Sequence, residues 1–244
     1  LRQHDDRGRA DEAAVRLQGV EVERIEKRMG ELLRDGHLVA GKSERADGHY
    51  DLVTTPAALK TEQAILDGID GGLGKGKMLV PVSEVVNRLA EVTKERPLNE
   101  GQSAAAVMIL SSGDKVTLVQ GVAGAGKSTM INAVARVAES EGKEVLGLAF
   151  QNKMVSDLKG GAAAQLGVEG MKASGIDAQT IASFVNAHHR NAMLGQGPRF
   201  DETKATLENK ILLVDESSMV SSKDMLKLIE ITHALDLDGL HFIG

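Results

Sequence analysis

The chain has 244 residues, of which 42% are hydrophobic and 26% are charged, with a formal net charge of −6 at neutral pH. This is the composition of a globular protein with one large domain or two smaller ones, and no apolar run is long enough to span a bilayer, so we expect no membrane insertion. The negative net charge argues against a surface that is basic everywhere and binds nucleic acid nonspecifically. The absence of cysteine excludes disulfides and thiolate metal sites, which fits a reducing compartment.

Residues 1–76 are predicted to form a small α+β domain with a helix and a hairpin. Apolar residues recur every three or four positions through a charged stretch that ends at Asp35-Gly36, which predicts an amphipathic helix. Two short strands are predicted at 37–40 and 50–55. Thr55 and Pro56 then place a capping residue before a proline at the first helical position, and this pattern predicts a second helix.

A glycine-rich stretch at residues 71–77 has the spacing of a phosphate-binding loop, but Met78 stands where a hydroxyl residue is needed. A phosphate loop must lead into a helix so that backbone N–H groups face the anion, whereas residues 78–81 read as extended chain. We therefore interpret this stretch as a domain boundary, followed by a linker and lead-in segment at residues 77–97.

From residue 98 to residue 244, apolar strands alternate with amphipathic helices, which predicts a parallel α/β sheet with helices on both faces. The predicted elements are, in chain order, a strand at 116–120, a helix at 128–139, a strand at 144–149, a helix at 153–166, a strand at 211–215, a helix at 223–231 and a strand at 240–243. Because the last strand falls at the end of the sequence, we expect this domain to be incomplete.

Residues 121–129 follow the pattern G-x-x-x-x-G-K-[ST] and lie between a predicted strand and a predicted helix, as a phosphate-binding loop requires. Glycines let the backbone wrap the phosphates, Lys127 offers a positive charge to the β and γ oxygens, and the Ser128 hydroxyl is a hard ligand for Mg²⁺. Thr129 is expected to pack or cap. The predicted nucleotide-binding residues of the loop are Gly121, Val122, Ala123, Gly124, Ala125, Gly126, Lys127, Ser128 and Thr129.

Asp215 and Glu216 follow four apolar residues, which puts two carboxylates at the carboxyl end of a central strand, where open α/β sheets bind ligands. Asp215 is predicted to hold Mg²⁺ through water, and Glu216 to polarise the attacking water. Combined with the phosphate loop, the pair predicts an ATP hydrolase in which Lys127 and Glu216 are catalytic and Ser128 and Asp215 are at the metal.

These motifs, together with the segments at 98–102, 147–153 and 175–184, closely resemble the motor half of superfamily 1 helicases of the RecD-like branch. Within that branch, GIDAQTIASF and LLVDESSMV are most similar to the helicase region of TraI-type (MobF) conjugative relaxase-helicases. The resemblance covers about residues 95–244 and implies a RecA-like P-loop motor domain. It also implies that Gln102 reads the edge of adenine; the alternative is an exposed helical residue.

The same resemblance implies contacts to single-stranded DNA. Gln151, Asn152 and Lys153 match the first DNA-contact motif of the family, and Thr180 is a candidate phosphate contact in the second. The first motif departs from the family pattern, since this chain has Phe-Gln-Asn-Lys where Pro-Thr-Asn-Arg is expected. Phe150 is therefore either a base-stacking residue or part of the core.

The resemblance as a whole implies an ATP-dependent DNA helicase or translocase of a conjugative DNA-transfer protein, with ATP and Mg²⁺ as cofactors. Single-stranded DNA is the expected ligand, a type IV secretion coupling protein is a candidate partner, and the expected location is the cytoplasm, with export to a recipient cell as an extension. The alternatives are a RecD-like DNA repair helicase and a single-strand-binding and secretion-signal module without turnover. Because the family's arginine finger lies on a second motor domain, we expect this chain alone to hydrolyse ATP weakly.

Overall fold

The computed structural model describes residues 22–45, 48–122, 124–160 and 176–244. The chain divides into two compact units, residues 1–63 and residues 64–244. The division falls ahead of the glycine-rich stretch at which the sequence places the boundary, and the assignment of residues 1–76, 77–97 and 98–244 to three segments stays a prediction.

The described part of the smaller unit contains a helix, a hairpin and the beginning of a second helix. These elements are α1 (Val22–Arg34), β1 (Val39–Arg45), β2 (Gly48–Thr54) and α2 (Pro56–Gly71), which continues into the larger unit. The strands pair antiparallel from Val39 opposite Thr54 to Arg45 opposite Gly48. Thr55 caps α2 as predicted, because its Oγ1 accepts a hydrogen bond of 3.1 Å from the backbone N–H of Ala58.

The larger unit alternates strands and helices, as predicted. Its elements after α2 are α3 (Val82–Val92), α4 (Glu100–Ser111), β3 (Val116–Val119), α5 (Lys127–Ser140), β4 (Glu144–Ala149), α6 (Asn152–Gly160), β5 (Asp177–Thr180), α7 (Ile181–Ala192), α8 (Pro198–Leu207), β6 (Lys210–Val214), a 3₁₀ turn (Ser217–Met219), α9 (Ser222–Ala234) and β7 (Leu240–Ile243). Of the helix predicted at 153–166, the residues after Gly160 lie outside the described ranges.

The five strands of the larger unit form one parallel sheet in the order β3-β7-β6-β4-β5. Alternate residues of the central strands β4 and β6 enter two different cores. In β6, Ile211 and Leu213 pack into a cluster with α3, α4 and α5, whereas Leu212 and Val214 pack into a second cluster with α7 and α9. The predicted α/β class, a RecA-like P-loop domain with helices on both faces of a parallel sheet, is confirmed.

The segment predicted as a linker contains helix α3. Its apolar residues Val85 and Leu89 are buried in the first core cluster, and this burial stabilises the helix. The linker interpretation overlooked this helix, although Val82, Val85, Val86 and Leu89 recur at the spacing typical of one.

Residues 72–77 of the glycine-rich stretch form a connecting loop that follows Gly71, the last residue of α2. Gly76 donates its N–H to the carbonyl of Gly113 at 2.7 Å, and a Cβ on Gly76 would lie 2.4 Å from the carbonyl of Asp114. Close backbone packing therefore accounts for a glycine here. Among the described helices, none combines the length and the apolar character needed to cross a bilayer.

Candidate nucleotide-binding site

The predicted phosphate loop connects β3 to α5 at the carboxyl edge of the sheet. Gly124 and Gly126 have φ angles of +78° and +77°, which a residue with a Cβ rarely adopts. The start of the loop is attached to the end of β7, because Gly121 donates its N–H to the carbonyl of Gly244 at 2.8 Å. The loop leads directly into α5 at Lys127, so the free N–H groups of the helix N-terminus face the space above the loop. Of the loop residues, Ala123 lies outside the described ranges.

Lys127 and Glu216 form an ion pair across this edge. The Lys127 Nζ lies 2.9 Å from Glu216 Oε1, and both side chains are partly exposed. Glu216 is the second residue after β6 and has φ 50° and ψ 52°, the left-handed region that non-glycine residues seldom occupy. Such a conformation persists only where the surrounding structure imposes it, and it is frequent at functional sites.

Asp215 directly follows β6, and both its backbone and its side chain form hydrogen bonds. Its N–H donates to the carbonyl of Leu148 at 2.9 Å, and its Oδ1 accepts from the backbone N–H of Glu216 at 3.0 Å. Burial raises the pKa of the Asp215 carboxyl above its ordinary value, and the negative charges of Glu216 and Asp157 act in the same direction. The Glu216 N–H and the Lys127 ammonium oppose this rise. A cation at this position would also oppose this rise, because it stabilises the carboxylate.

The residues predicted at the metal fit Mg²⁺ bound together with a nucleotide. Ser128 is exposed in the first turn of α5, and its hydroxyl and the Asp215 carboxylate are hard oxygen ligands of the kind Mg²⁺ prefers. Within the described ranges, no group of three or more histidine or acidic side chains is arranged to hold a metal ion. Mg²⁺ would therefore take its remaining ligands from phosphate oxygens and water. The neighbouring Thr129 donates its N–H to the carbonyl of Gly126 at 3.0 Å and so belongs to the helix start.

Gln102 contacts the phosphate loop directly. Its Nε2 donates to the carbonyl oxygens of Ala125 at 2.8 Å and Gly126 at 3.3 Å. Its Oε1 accepts from the N–H of Asn99 at 3.1 Å, while the Asn99 side chain accepts from the N–H of Gln102 at 2.9 Å, which completes a capping box at the start of α4. An amide that pairs with adenine would have to leave these partners.

The contact between Gln102 and the loop is a functional feature that the sequence analysis missed. The hydrogen bonds between Gln102 and Asn99 could have been predicted, because asparagine followed three residues later by glutamine is the sequence pattern of a capping box. The hydrogen bonds from Gln102 to the loop could not have been predicted, because the accepting carbonyls come 23 and 24 residues later in the chain.

A pocket of about 350 Å³ opens between the start of α4 and the phosphate loop. Lys127 is one of its lining residues. The other wall residues are mainly small or apolar and include Gly101, Ala105, Val119, Val122 and Met130. A space of this size, with mainly small or apolar walls and a lysine in its lining, fits a small ligand that carries phosphate.

The candidate DNA contacts lie at the same edge of the sheet. Gln151, Asn152 and Lys153 are exposed where β4 leads into α6. Thr180 ends β5 beside Ala149 of β4, and its Oγ1 accepts from the backbone N–H of Ser183 at 3.2 Å as the cap of α7. The structure therefore brings the two predicted contact segments next to each other, with the Thr180 hydroxyl oxygen already engaged as an acceptor.

Comparison with known proteins identifies the family. Residues 97–244 match the AAA domain family. Over 178 residues, 71% of this chain, the sequence is 34% identical to the multifunctional conjugation protein TraI of Escherichia coli strain K12, and over 179 residues it is 33% identical to a second Escherichia coli protein of the same name. The aligned part spans 9% of the length of either relative. The resemblance noted from the motifs is thus confirmed, and the chain belongs to the AAA domain family.

Proposed function

We propose that the chain is the first motor domain of an ATP-dependent DNA helicase or translocase that acts in conjugative DNA transfer. The observation that carries the proposal is the position of Lys127, 2.9 Å from Glu216 and beside a phosphate loop that opens into a pocket. The AAA domain match and the similarity to TraI, a conjugation protein, support it. The aligned segment is a small part of the TraI proteins. DNA unwinding, a role in conjugation and a secretion partner are therefore proposed for this chain.

The proposed chemistry begins with exchange of partners at Lys127. Phosphate oxygens of ATP would replace the Glu216 carboxylate at the ammonium, since a triphosphate carries more charge and also meets the N–H groups of the loop and of α5. The released carboxylate is then free to orient a water molecule and accept its proton. Ser128 and Asp215 would hold Mg²⁺, which neutralises charge on the β and γ phosphates when bound.

The proposed DNA path runs over the ends of β4 and β5. Lys153 supplies a positive charge there, and the first turns of α6 and α7 present backbone N–H groups to phosphates that pass this edge. With a net charge of −6 the chain has little long-range attraction for DNA, so we expect weak, salt-dependent binding.

Binding measurements on the 244-residue chain test this function. A fluorescent ATP analogue is titrated with and without Mg²⁺, and a labelled single-stranded oligonucleotide is titrated at two salt concentrations, with a duplex of the same sequence as control. We expect Mg²⁺-dependent nucleotide binding and salt-sensitive binding of the single strand. Failure to bind nucleotide would contradict the ATPase assignment, and failure to bind the single strand would contradict the motor assignment.

A further inference from the structure

Gly244, the residue after β7, is hydrogen-bonded to both ends of the connection between β3 and the phosphate loop. Its N–H donates to the carbonyl of Val119 at 2.9 Å, and its carbonyl accepts from the N–H of Gly121 at 2.8 Å. These bonds continue the pairing of β3 with β7 into the first residue of the loop. The position of Gly244 therefore fixes where the phosphate loop begins.

Gly244 also lies against Ser217, the first residue of the 3₁₀ turn that follows Glu216. A Cβ on Gly244 would lie 3.0 Å from the Ser217 Oγ, which is closer than Cβ atoms normally approach a neighbour. Ser217 is only 8% exposed, so its side chain has little room to move aside. The 3₁₀ turn can thus pack this closely on the end of β7 because residue 244 has no side chain.

The same turn supports the unusual backbone of Glu216. A left-handed conformation at a residue other than glycine persists only where the surrounding structure imposes it. On one side of Glu216, the Oδ1 of Asp215 accepts from its N–H at 3.0 Å. On the other side, the N–H of Met219 donates to its carbonyl at 3.0 Å and closes the turn. The turn in turn packs on Gly244 through Ser217, so the backbone of Glu216 is held from both directions.

The side chain and the backbone of Glu216 are held by different contacts. Under the proposed function, phosphate replaces the Glu216 carboxylate at Lys127, and the ion pair is lost. The packing of Ser217 on Gly244 involves neither charged group, so nucleotide binding leaves it in place. Because Gly244 also accepts from Gly121, the released carboxylate and the phosphate loop remain attached to one common point.

We propose that Gly244 is a positioning residue for Glu216. Its bare α-carbon lets the turn after Glu216 pack on the strand end that anchors the phosphate loop, so that the candidate base keeps its place relative to the bound phosphates after its ion pair has opened. This inference rests on the proposed ATP hydrolysis and deepens it, because it assigns a residue that acts on the base without touching the nucleotide. The Ser217 hydroxyl is the group that a larger residue at position 244 would displace.

Gly244→Ala tests the proposal in a protein that carries both motor domains. The added methyl group should displace Ser217, and with it the turn after Glu216, by a few tenths of an ångström. A misplacement of about 1 Å can cost about 100-fold in rate, so for this smaller shift we expect kcat to fall by about 3- to 30-fold. The affinity for a fluorescent ATP analogue should stay within about twofold of the wild-type value, because the contacts of the loop with phosphate are kept.

A second substitution identifies the contact that is responsible. Ser217→Ala removes the Oγ that the new methyl group would meet, so adding Gly244→Ala to it should lower kcat no further. Gly113→Ala is the matched control, because it adds the same methyl group ahead of β3, at the opposite edge of the sheet, where no atom lies within 4 Å of it. We expect Gly113→Ala to change neither kcat nor nucleotide affinity.

The Glu216→Gln background separates positioning of the base from general damage to the site. With the base already removed, Gly244→Ala should leave the residual turnover unchanged, whereas a distorted phosphate loop would lower it further. The midpoint of urea unfolding is measured for each variant so that turnover is compared between folded proteins.

Three results would overturn the positioning role alone. They are a wild-type kcat in Gly244→Ala, the same loss of kcat in the presence and absence of the Ser217 hydroxyl, and a fall in nucleotide affinity as large as the fall in turnover. The last of these would place the effect at the phosphate loop. Absence of ATP turnover by the unsubstituted protein with both motor domains would instead overturn the proposed function, and this inference with it.

Discussion

The ammonium group of Lys127 lies 2.9 Å from the carboxylate of Glu216, so the phosphate loop is joined to the end of β6 by an ion pair between the two candidate catalytic side chains. In this arrangement each group satisfies the charge of the other, and neither is free to act on a nucleotide. Under the proposed function, binding of ATP would therefore have to separate them. This contact connects occupation of the loop to release of the candidate base.

The first prediction concerns Glu216→Gln. The substitution keeps the shape of the side chain but removes its charge, so Lys127 is no longer held by an anion and the general base is lost. We expect affinity for Mg-ATP to be equal to or slightly higher than that of the wild type, with ATP turnover abolished. Titration of a fluorescent ATP analogue and release of phosphate from a protein that carries both motor domains measure the two effects. A parallel fall in affinity and turnover would argue against this role.

The second prediction concerns Lys127→Ala. Loss of a charge-assisted contact costs about 1.5–3 kcal/mol, so we expect nucleotide affinity to fall by about 10- to 150-fold. Lys159→Ala is the matched control, because it removes the same charge from an exposed position in the last turn of α6. If both variants bind nucleotide alike, the loop lysine does not contact phosphate.

The third prediction separates the two sets of hydrogen bonds made by Gln102. In Gln102→Glu a carboxylate can still accept from the Asn99 N–H and preserve the capping box, but it cannot donate to the carbonyls of Ala125 and Gly126. We expect thermal stability close to that of the wild type and a markedly lower nucleotide affinity, because the loop is no longer held. Asn99→Ala should destabilise the fold by about 1 kcal/mol through the lost cap, while the Gln102 amide can still donate to the loop carbonyls.

A comparison of the two measurements checks this separation. The free energy of unfolding in urea measures the effect of the cap, and the affinity for a fluorescent ATP analogue measures the effect of the loop contact. Base selectivity is informative as well: if Gln102→Glu lowers the affinities for ATP and GTP by the same factor, Gln102 positions the loop, whereas a loss confined to ATP would mean that the side chain leaves the loop to read adenine.

Much of the fold and the catalytic edge could be predicted from the sequence because the signals are local. The phosphate loop is a continuous run of nine residues, and Asp215-Glu216 follows an apolar strand directly. Once the parallel α/β pattern is recognised, the rule that ligands bind at the carboxyl edge brings these segments together without any knowledge of tertiary contacts.

The features that could not be predicted depend on contacts between distant parts of the chain. The left-handed backbone of Glu216 has no residue-type signal, since glutamate disfavours that conformation. The exposure of Phe150 depends on where β4 ends relative to α6, which an apolar pattern locates only to within a few residues. Helix α3 is a different case, because the spacing of Val82, Val85 and Leu89 indicates a helix and the linker interpretation overlooked it.

The last prediction concerns His241, a buried residue of β7. Its Nδ1 lies 2.7 Å from the Thr117 hydroxyl on β3, and a Cβ on Gly239 would lie 2.6 Å from its Nε2, so the ring is enclosed on both sides. Burial lowers the pKa of His241 to about 4. The unfolded chain binds the same proton with an ordinary pKa of about 6.5.

The sign of the effect follows from this difference. Between these two pKa values the unfolded state is protonated while the folded state stays neutral, so stability is highest above about pH 6.5 and falls by about 1.4 kcal/mol for each pH unit on the acid side. In His241→Asn the amide oxygen can still accept from Thr117, but nothing titrates there. Urea unfolding of both proteins at intervals from pH 7.5 to pH 4.5 should therefore show that the wild type loses stability more steeply than the variant, since the carboxylates that titrate elsewhere are common to both. Parallel curves would mean that the folded protein accepts the proton at His241 as readily as the unfolded chain, which would contradict a pKa lowered by burial.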